Sequence, residues 1–353
     1  MSSVVISGNT SGTVTIAAPA VAGSGTQTLQ AGSGTVALDN TFGFKNRLIN
    51  GCFRVDQRNS GASQTITAAA ALAYTVDRWY AYCTGANVTG QRVAGTGSNQ
   101  YNYQFTGAAS VTGINFAQRI ETLNSYDLNG QNVTLSVYMS NSLLTSVTWT
   151  AYYANTSDTF GSVASPTVTQ IATGTFTVSS TYSQYTANIA IPAAATTGIQ
   201  IVFSVGAQTS GTWVIGYPQL ELGTTATSFD IRDHTRELSM CQRYFESTYE
   251  SGTSPGATSQ TANAIVVYAQ ANSATVSQNS SWYYRVTKRS SPTVTLYNPS
   301  TGATGTFRNI TQSTNITAAQ FSVSSNFTNY ASQATGIAAN ETYCAHYTAS
   351  AEL

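Results

Sequence analysis

Short runs in which every second residue is apolar recur along almost the whole of this chain, and only one window carries a helical period. Val133, Leu135, Val137 and Met139 fall on one side of such a run, and Val147, Trp149, Ala151 and Tyr153 do the same in the next. Side chains alternate between the two faces of a strand, so each run can bury one face and leave the other wet. From Asn46 to Ile231 these runs follow one another from RLINGCFRV to GTWVIGYPQLEL, separated by turn residues and by no crossover helix. That spacing requires antiparallel sheets and therefore a β-sandwich. Strand order is not set by the pattern.

The single helical window follows the stretch PQLELGTTATSFDIRD. From Thr235, Leu238, Cys241, Phe245 and Thr248 fall on one stripe, Asp233 is placed to cap the first free amides, and Glu237 lies near the positive end. A linking helix over 233–250 is expected, marking a domain seam. A Gly/Ser/Thr loop over 251–263 then leads to further runs at Ala264–Gln270, Ser281–Lys288, Thr293–Tyr297, Thr306–Arg308, Ala319–Val323, Phe327–Tyr330 and Glu341–Ala349. These predict a second, smaller β-sandwich over 251–353. At the other end, Val4/Ile6, Val14/Ile16, Thr26/Thr28 and Val36/Leu38 are strand-like pairs about ten residues apart. So short a segment holds too little apolar surface to close a core. Residues 1–44 are therefore expected to be an extended β-segment that folds against copies of itself or another protein, and 45–232 to be the main sandwich.

Composition narrows the function. Charged residues make up 8% of the 353, against about 25% in an ordinary soluble domain, and the formal net charge is zero. A chain without a basic cluster has no electrostatic footprint for nucleic acid or an anionic membrane. No apolar run is long enough to insert in a bilayer as a helix, and the N-terminus MSSVVISGNTSG does not read as a secretory signal. Cys52, Cys83, Cys241 and Cys344 are far apart with no CxxC spacing, which argues against zinc and for small buried hydrophobes.

Four motifs, in order, carry a resemblance: KNRLINGCFRVDQR (Lys45–Arg58), VDRWYAY (Val76–Tyr82), QLELG…SFDIR…EL..CQRYFE from Gln219, and HYTASAEL (His346–Leu353). Together they resemble tailed-bacteriophage virion proteins in which a jelly roll like that of carbohydrate-binding modules is followed by a C-terminal β-domain. The resemblance spans roughly residues 45 to 353. It implies a non-enzymatic structural protein of the virion, a tail fibre or related appendage assembled in the host cytoplasm, adhering to host-surface glycan, often as a homotrimer. A head or tail decoration protein without a host ligand, and a glycan depolymerase, are the alternatives. Related jelly rolls hold calcium through an acidic residue after the opening NG-F and another in the last strand. Arg54 and Gly216–Tyr217 stand at the matching positions here, so no calcium or other cofactor is expected.

Residues for covalent chemistry are sparse. The 14 acids are scattered, without the close pairing that glycoside hydrolysis would suggest, and Asp77–Arg78 and Asp230–Asp233 read as local ion pairs. His234 and His346, the two histidines, have no Ser or Cys partner in sequence that suggests a triad. Aromatic faces remain, since flat rings stack on sugars. Trp79, Trp149 and Trp213 are expected in the core, while Tyr152 and Tyr283, if outward, are the candidate ligand-binding residues.

Overall fold

The structure is a computed structural model describing residues 3–7, 13–17, 44–69, 71–258, 262–268, 280–331 and 340–353. By packing the chain divides into two compact units, Met1–Asp39 and Asn40–Leu353. The first contains an antiparallel ribbon of β1 (Ser3–Ser7) and β2 (Thr13–Ala17), whose register pairs Val4 with Ile16 and Ile6 with Val14. The strands expected around Thr26 and Val36 lie outside the described residues.

The second unit opens with twelve strands. They are β3 (Gln64–Ile66), β4 (Ala73–Tyr74), β5 (Tyr80–Thr84), β6 (Val88–Ala94), β7 (Tyr101–Thr106), β8 (Gly113–Ile120), β9 (Asn132–Asn141), β10 (Ser146–Ala154), β11 (Val168–Thr177), β12 (Ser183–Ala190), β13 (Ile199–Val205) and β14 (Thr212–Leu222). They form two six-stranded antiparallel sheets, ordered β11-β10-β13-β8-β5-β4 and β12-β9-β14-β7-β6-β3, packed as a jelly-roll β-sandwich. The alternation read from sequence sets the layers: Val133, Leu135, Val137 and Met139 of β9 are fully buried between the sheets. Trp79 stacks on Phe116 at 4.8 Å, Phe116 on Tyr103 at 5.1 Å, and Trp213 on Phe105 at 5.4 Å, and Trp149 is buried in the same core, as expected of all three tryptophans.

The LINGCF run, expected as the first strand, forms turns instead, with Leu48 and Phe53 buried in this core. Asn50 adopts φ 57°, a left-handed conformation that asparagine tolerates. Its side chain accepts from Val55 N (3.0 Å) and donates to the carbonyls of Val55 (2.7 Å) and Asp77 (3.0 Å). The Trp79 indole in turn donates to the Ile49 carbonyl at 3.1 Å, which ties the opening loop to the turn that leads into β5.

The helix is shorter than its stripe implies. α1 spans His234–Gln242, capped by Asp233, which accepts from Thr235 N at 2.9 Å and Arg236 N at 3.4 Å. Phe245 and Thr248, expected on the helix, lie beyond it. β15 (Phe245–Ser247) pairs with the closing strand instead, because a β-edge offers this segment backbone partners that a longer helix would forgo. The remaining strands are β16 (Ile265–Tyr268), β17 (Ser280–Tyr283), β18 (Thr293–Tyr297), β19 (Thr306–Asn309), β20 (Thr314–Thr317), β21 (Ala319–Val323), β22 (Phe327–Ala331) and β23 (Thr342–Ser350). β15, β16, β18 and β19 all pair with β23, and β21 and β17 flank β22 in a separate three-stranded sheet. Their own core gathers Trp282, Leu296, Phe307, Tyr343 and Tyr347.

The scarce charges are spent largely at the seam between the two β-regions. Arg78 does not pair with Asp77, as adjacency suggested. Its guanidinium lies over the Tyr244 ring at 3.5 Å and bonds Glu352, which also accepts from Arg58 at 2.9 Å. Asp77 instead accepts from the backbone and side chain of Gln57 at 2.6 and 2.9 Å. The last residues are held by further cations: Arg289 donates to the carbonyls of Ala351 (3.1 Å) and Glu352 (3.2 Å), and Arg119 to Leu353 (2.6 Å). Lys288 is buried against Glu246 at 2.6 Å, and Arg243 reaches Glu121 at 3.0 Å. Asp230 and Glu237 flank buried Arg232 at 3.6 and 3.5 Å, as the local reading of Asp230–Asp233 expected for that stretch. Of the nine ion pairs among the described residues, only Arg47–Asp127 has a carboxylate more than half exposed.

Candidate functional site

The inward stripe of β9 sends Thr134, Ser136 and Tyr138 to the opposite, outer face of the second sheet. Tyr138 has Gln184 of β12 directly beside it on one strand and Gly216 of β14 on the other. Over this strip lies a cleft of about 680 Å³, within the range of small-ligand sites. Its aromatic lining is Tyr138, Tyr182, Tyr217 and Phe229, all half-buried, and no charged residue lines it.

Two ring pairs give the cleft its shape. Tyr182, one residue before β12, stacks on Tyr138 with centroids 5.6 Å apart. Across the strip, Tyr217 stacks on Phe229 at 4.1 Å with planes 12° apart. Tyr217 gets there through a bulge in β14: the register with β9 shifts between Gly216 and Gln219, and Tyr217 takes φ 51°. A bulge re-aims a side chain, and here it places a ring that regular pleating would put elsewhere. Gly51 completes the support. A Cβ there would collide with the Pro218 carbonyl beneath the bulge and approach the Phe229 ring to 3.1 Å.

The polar groups are held as firmly. Tyr182 donates to Asn102 Oδ1 at 2.9 Å, and Asn99 bonds the same oxygen through its amide nitrogen. Asn99 Oδ1 is a buried acceptor with no donor. Tyr217 donates to the Ser98 carbonyl at 2.9 Å. The wall at 226–231 is pinned from behind: Glu221 accepts from Thr227 N at 2.9 Å and Thr227 Oγ1 at 2.5 Å, and Gln219 accepts from Asp230 N at 2.8 Å. Burial pushes the Tyr182 phenol up to about 12 and raises that of Tyr217, so both remain neutral hydroxyls at ordinary pH. The result is a rigid, uncharged concavity with two aromatic platforms and an idle acceptor.

The sequence candidates lie elsewhere. Tyr152 is half-buried on the outer face of the first sheet, in a smaller hollow of about 120 Å³ shared with Tyr80, Tyr82 and Arg119. Tyr283, 74% exposed on β17, sits against Phe327 at 5.9 Å. The two are not brought together, and neither lines the cleft. None of the four cleft aromatics was singled out from sequence. Tyr138 could have been, since it alternates with the buried stripe of β9. Tyr217 could not, because the bulge is invisible to period-two counting. Of the histidines, His346 is fully buried, with Nδ1 3.0 Å from Thr248 Oγ1 and its ring on Tyr249 at 3.9 Å. His234 is exposed at the start of α1. Among the described residues, the four cysteines are free and buried, and no three of His, Cys, Asp and Glu converge as a metal site would require.

No family model matches the chain, and no curated protein matches it. Among solved structures it is similar to CBM4, with a TM-score of 0.31 and 16% identity over 49% of this chain and 98% of that one. It is likewise similar to TmCBM61 in complex with β-1,4-galactotriose, with a TM-score of 0.31 and 12% identity over 51% of this chain and 99% of the other. The enzymatically active domain of bacteriophage CBA120 tailspike protein 4 gives a TM-score of 0.30 and 15% identity, over 50% of this chain and 21% of that one.

Proposed function

We propose that the protein is a non-enzymatic glycan-binding component of a bacteriophage virion, a tail fibre or related appendage that adheres to the host surface through the cleft on the outer face of the second sheet. The observation that carries this reading is the pairing of two stacked aromatic platforms, Tyr138–Tyr182 and Tyr217–Phe229, with amide groups in one uncharged concavity. Sugar rings present an apolar C–H face and a rim of hydroxyls. The platforms suit the face, while Gln184 and the idle Asn99 Oδ1 suit the rim. Preorganisation by the pinned wall and the buried amides lowers the entropic cost of binding.

The place in the virion is supported by the four ordered motifs between Lys45 and Leu353. Residues 1–44 then serve for attachment or self-association, since so short a segment holds too little apolar surface to close a core of its own. A homotrimer would present three clefts, and linked weak sites gain avidity. The test is retention of the full chain on a panel of immobilised host-surface polysaccharides, comparing wild type with Tyr217→Ala. Retention that the substitution weakens about thirtyfold, the ~2 kcal/mol loss expected of a hot-spot aromatic, supports the reading. A panel that retains nothing, or equal retention of both proteins, overturns it.

A further inference from the structure

The 14 basic residues of this chain are almost all accounted for. Arg47, Arg58, Arg78, Arg92, Arg232, Arg243, Lys288 and Arg289 are in ion pairs. Arg119 donates to three oxygens, Arg236 lies over the Phe44 ring at 3.6 Å, Arg308 reaches Asn315 and Lys45 reaches Thr227. Of the basic residues with no carboxylate in ion-pair distance among the described residues, two lie together, Arg54 and Arg285. Both line one crevice of about 120 Å³, where the loop after the LINGCF motif, helix α1 and the segment after β15 meet.

The same crevice holds unspent donors. Arg54 Nε is buried without a partner, and so is Ser60 Oγ. Arg285 is fixed in place by a bond from Nη1 to the Ser247 carbonyl at 3.1 Å. Two carboxylates border the space but are occupied or turned to solvent. Asp56 accepts from the amides of Asn59 (3.0 Å) and Gly61 (2.7 Å) and lies 3.6 Å from Arg92. Glu250 is exposed and accepts from Asn263 at 3.5 Å. A buried N–H donor left idle is costly, and the volume far exceeds the roughly 10–15 Å³ that one water needs.

We propose that this crevice binds a small oxyanion, phosphate or a phosphate ester, with Arg54 and Arg285 supplying charge and Ser60 a hydroxyl donor. Guanidiniums match the tetrahedral oxygens of phosphate by paired N–H bonds. Because the walls come from both β-regions and the helix, the bound anion stabilises the joint between them by mass action. This site is separate from the aromatic cleft and stands or falls independently of it.

The test is the thermal midpoint of the full chain titrated with inorganic phosphate against chloride at constant ionic strength. A saturable rise is expected, with at least a tenfold weaker apparent affinity in Arg54→Gln and in Arg285→Gln. Arg236→Gln, outside the crevice, should titrate as wild type. Arg285 is exposed, so its variant keeps the test valid should Arg54→Gln fail to fold. Glycerol phosphate in a parallel titration separates the two sources of the anion: equal affinity means the site accepts polymer-borne esters, and binding of inorganic phosphate alone means it takes the free ion. A titration without saturation, or one that both variants leave intact, overturns the proposal.

Discussion

Glu352→Gln tests whether the buried charges at the seam hold the two β-regions together. The carboxylate is 5% exposed and receives Arg58 at 2.9 Å and Arg78, whose own side chain is 1% exposed. Without that charge Arg78 keeps the Arg119 carbonyl and the face of Tyr244. Neither neutralises it. Breaking a buried pair from one side typically costs about 3–5 kcal/mol, because the remaining charge is left uncompensated, whereas an exposed pair contributes about 0–1 kcal/mol. Urea unfolding of the full chain should therefore show a loss near the upper range. Pairing the change with Arg78→Met should recover much of it, since the double variant leaves no orphan charge from that pair. A loss below about 1 kcal/mol for Glu352→Gln alone would place the pair in the surface class and refute the argument that these charges act as internal ties.

Three further outcomes are expected. Burial pushes the Asp77 carboxyl up to about 6 from its ordinary 3.8, against the pull of Arg58 and the Gln57 bonds. Between those values the folded state binds more protons than the unfolded one, so this group's stabilisation is full below the lower value and is lost as pH rises through the upper one. The loss is of order 3 kcal/mol, and pH-dependent denaturation of Asp77→Asn should lack that slope. Gly216→Ala places a methyl group against the Tyr182 hydroxyl and the Asn102 amide at the cleft floor. It should abolish glycan retention while far-ultraviolet circular dichroism stays that of the wild type. Tyr283→Ala, remote from the cleft, should leave retention within a factor of about two, as expected of a surface change worth less than ~0.5 kcal/mol.

Much of the architecture follows from local rules. Period-two alternation identified β9 and β10 and the faces they bury, and Thr293–Tyr297 and Ala319–Val323 are strands with the ends expected. Asp233 caps where an isolated helix would need it. The helix's C-terminal half was misread because Phe245 and Thr248 satisfy a helical spacing equally well. Phe245 enters β15 and Thr248 N, just past it, donates to the Tyr347 carbonyl, so both depend on β23, about a hundred residues away, which local periodicity cannot see. The Asp77–Arg78 adjacency misled for a related reason. The two residues form the turn between β4 and β5, where Arg78 takes φ 72°, and Arg78 met Glu352 from the far end of the chain. The cleft was the least legible part. It depends on a bulge at Tyr217, on a connector folding back to bring Phe229 over it, and on cross-strand neighbours set by sheet order, none of which leaves a mark in spacing.

The central claim is that the cleft between Tyr138–Tyr182 and Tyr217–Phe229 is the glycan site. A crystal structure of the full chain with an oligosaccharide cut from a polysaccharide it retains addresses that claim most directly. The account predicts sugar density with ring faces on Tyr217 or Tyr138 and a hydroxyl donating to Asn99 Oδ1. Density confined to Tyr283, or to the hollow beside Tyr152, with the cleft empty, would contradict it.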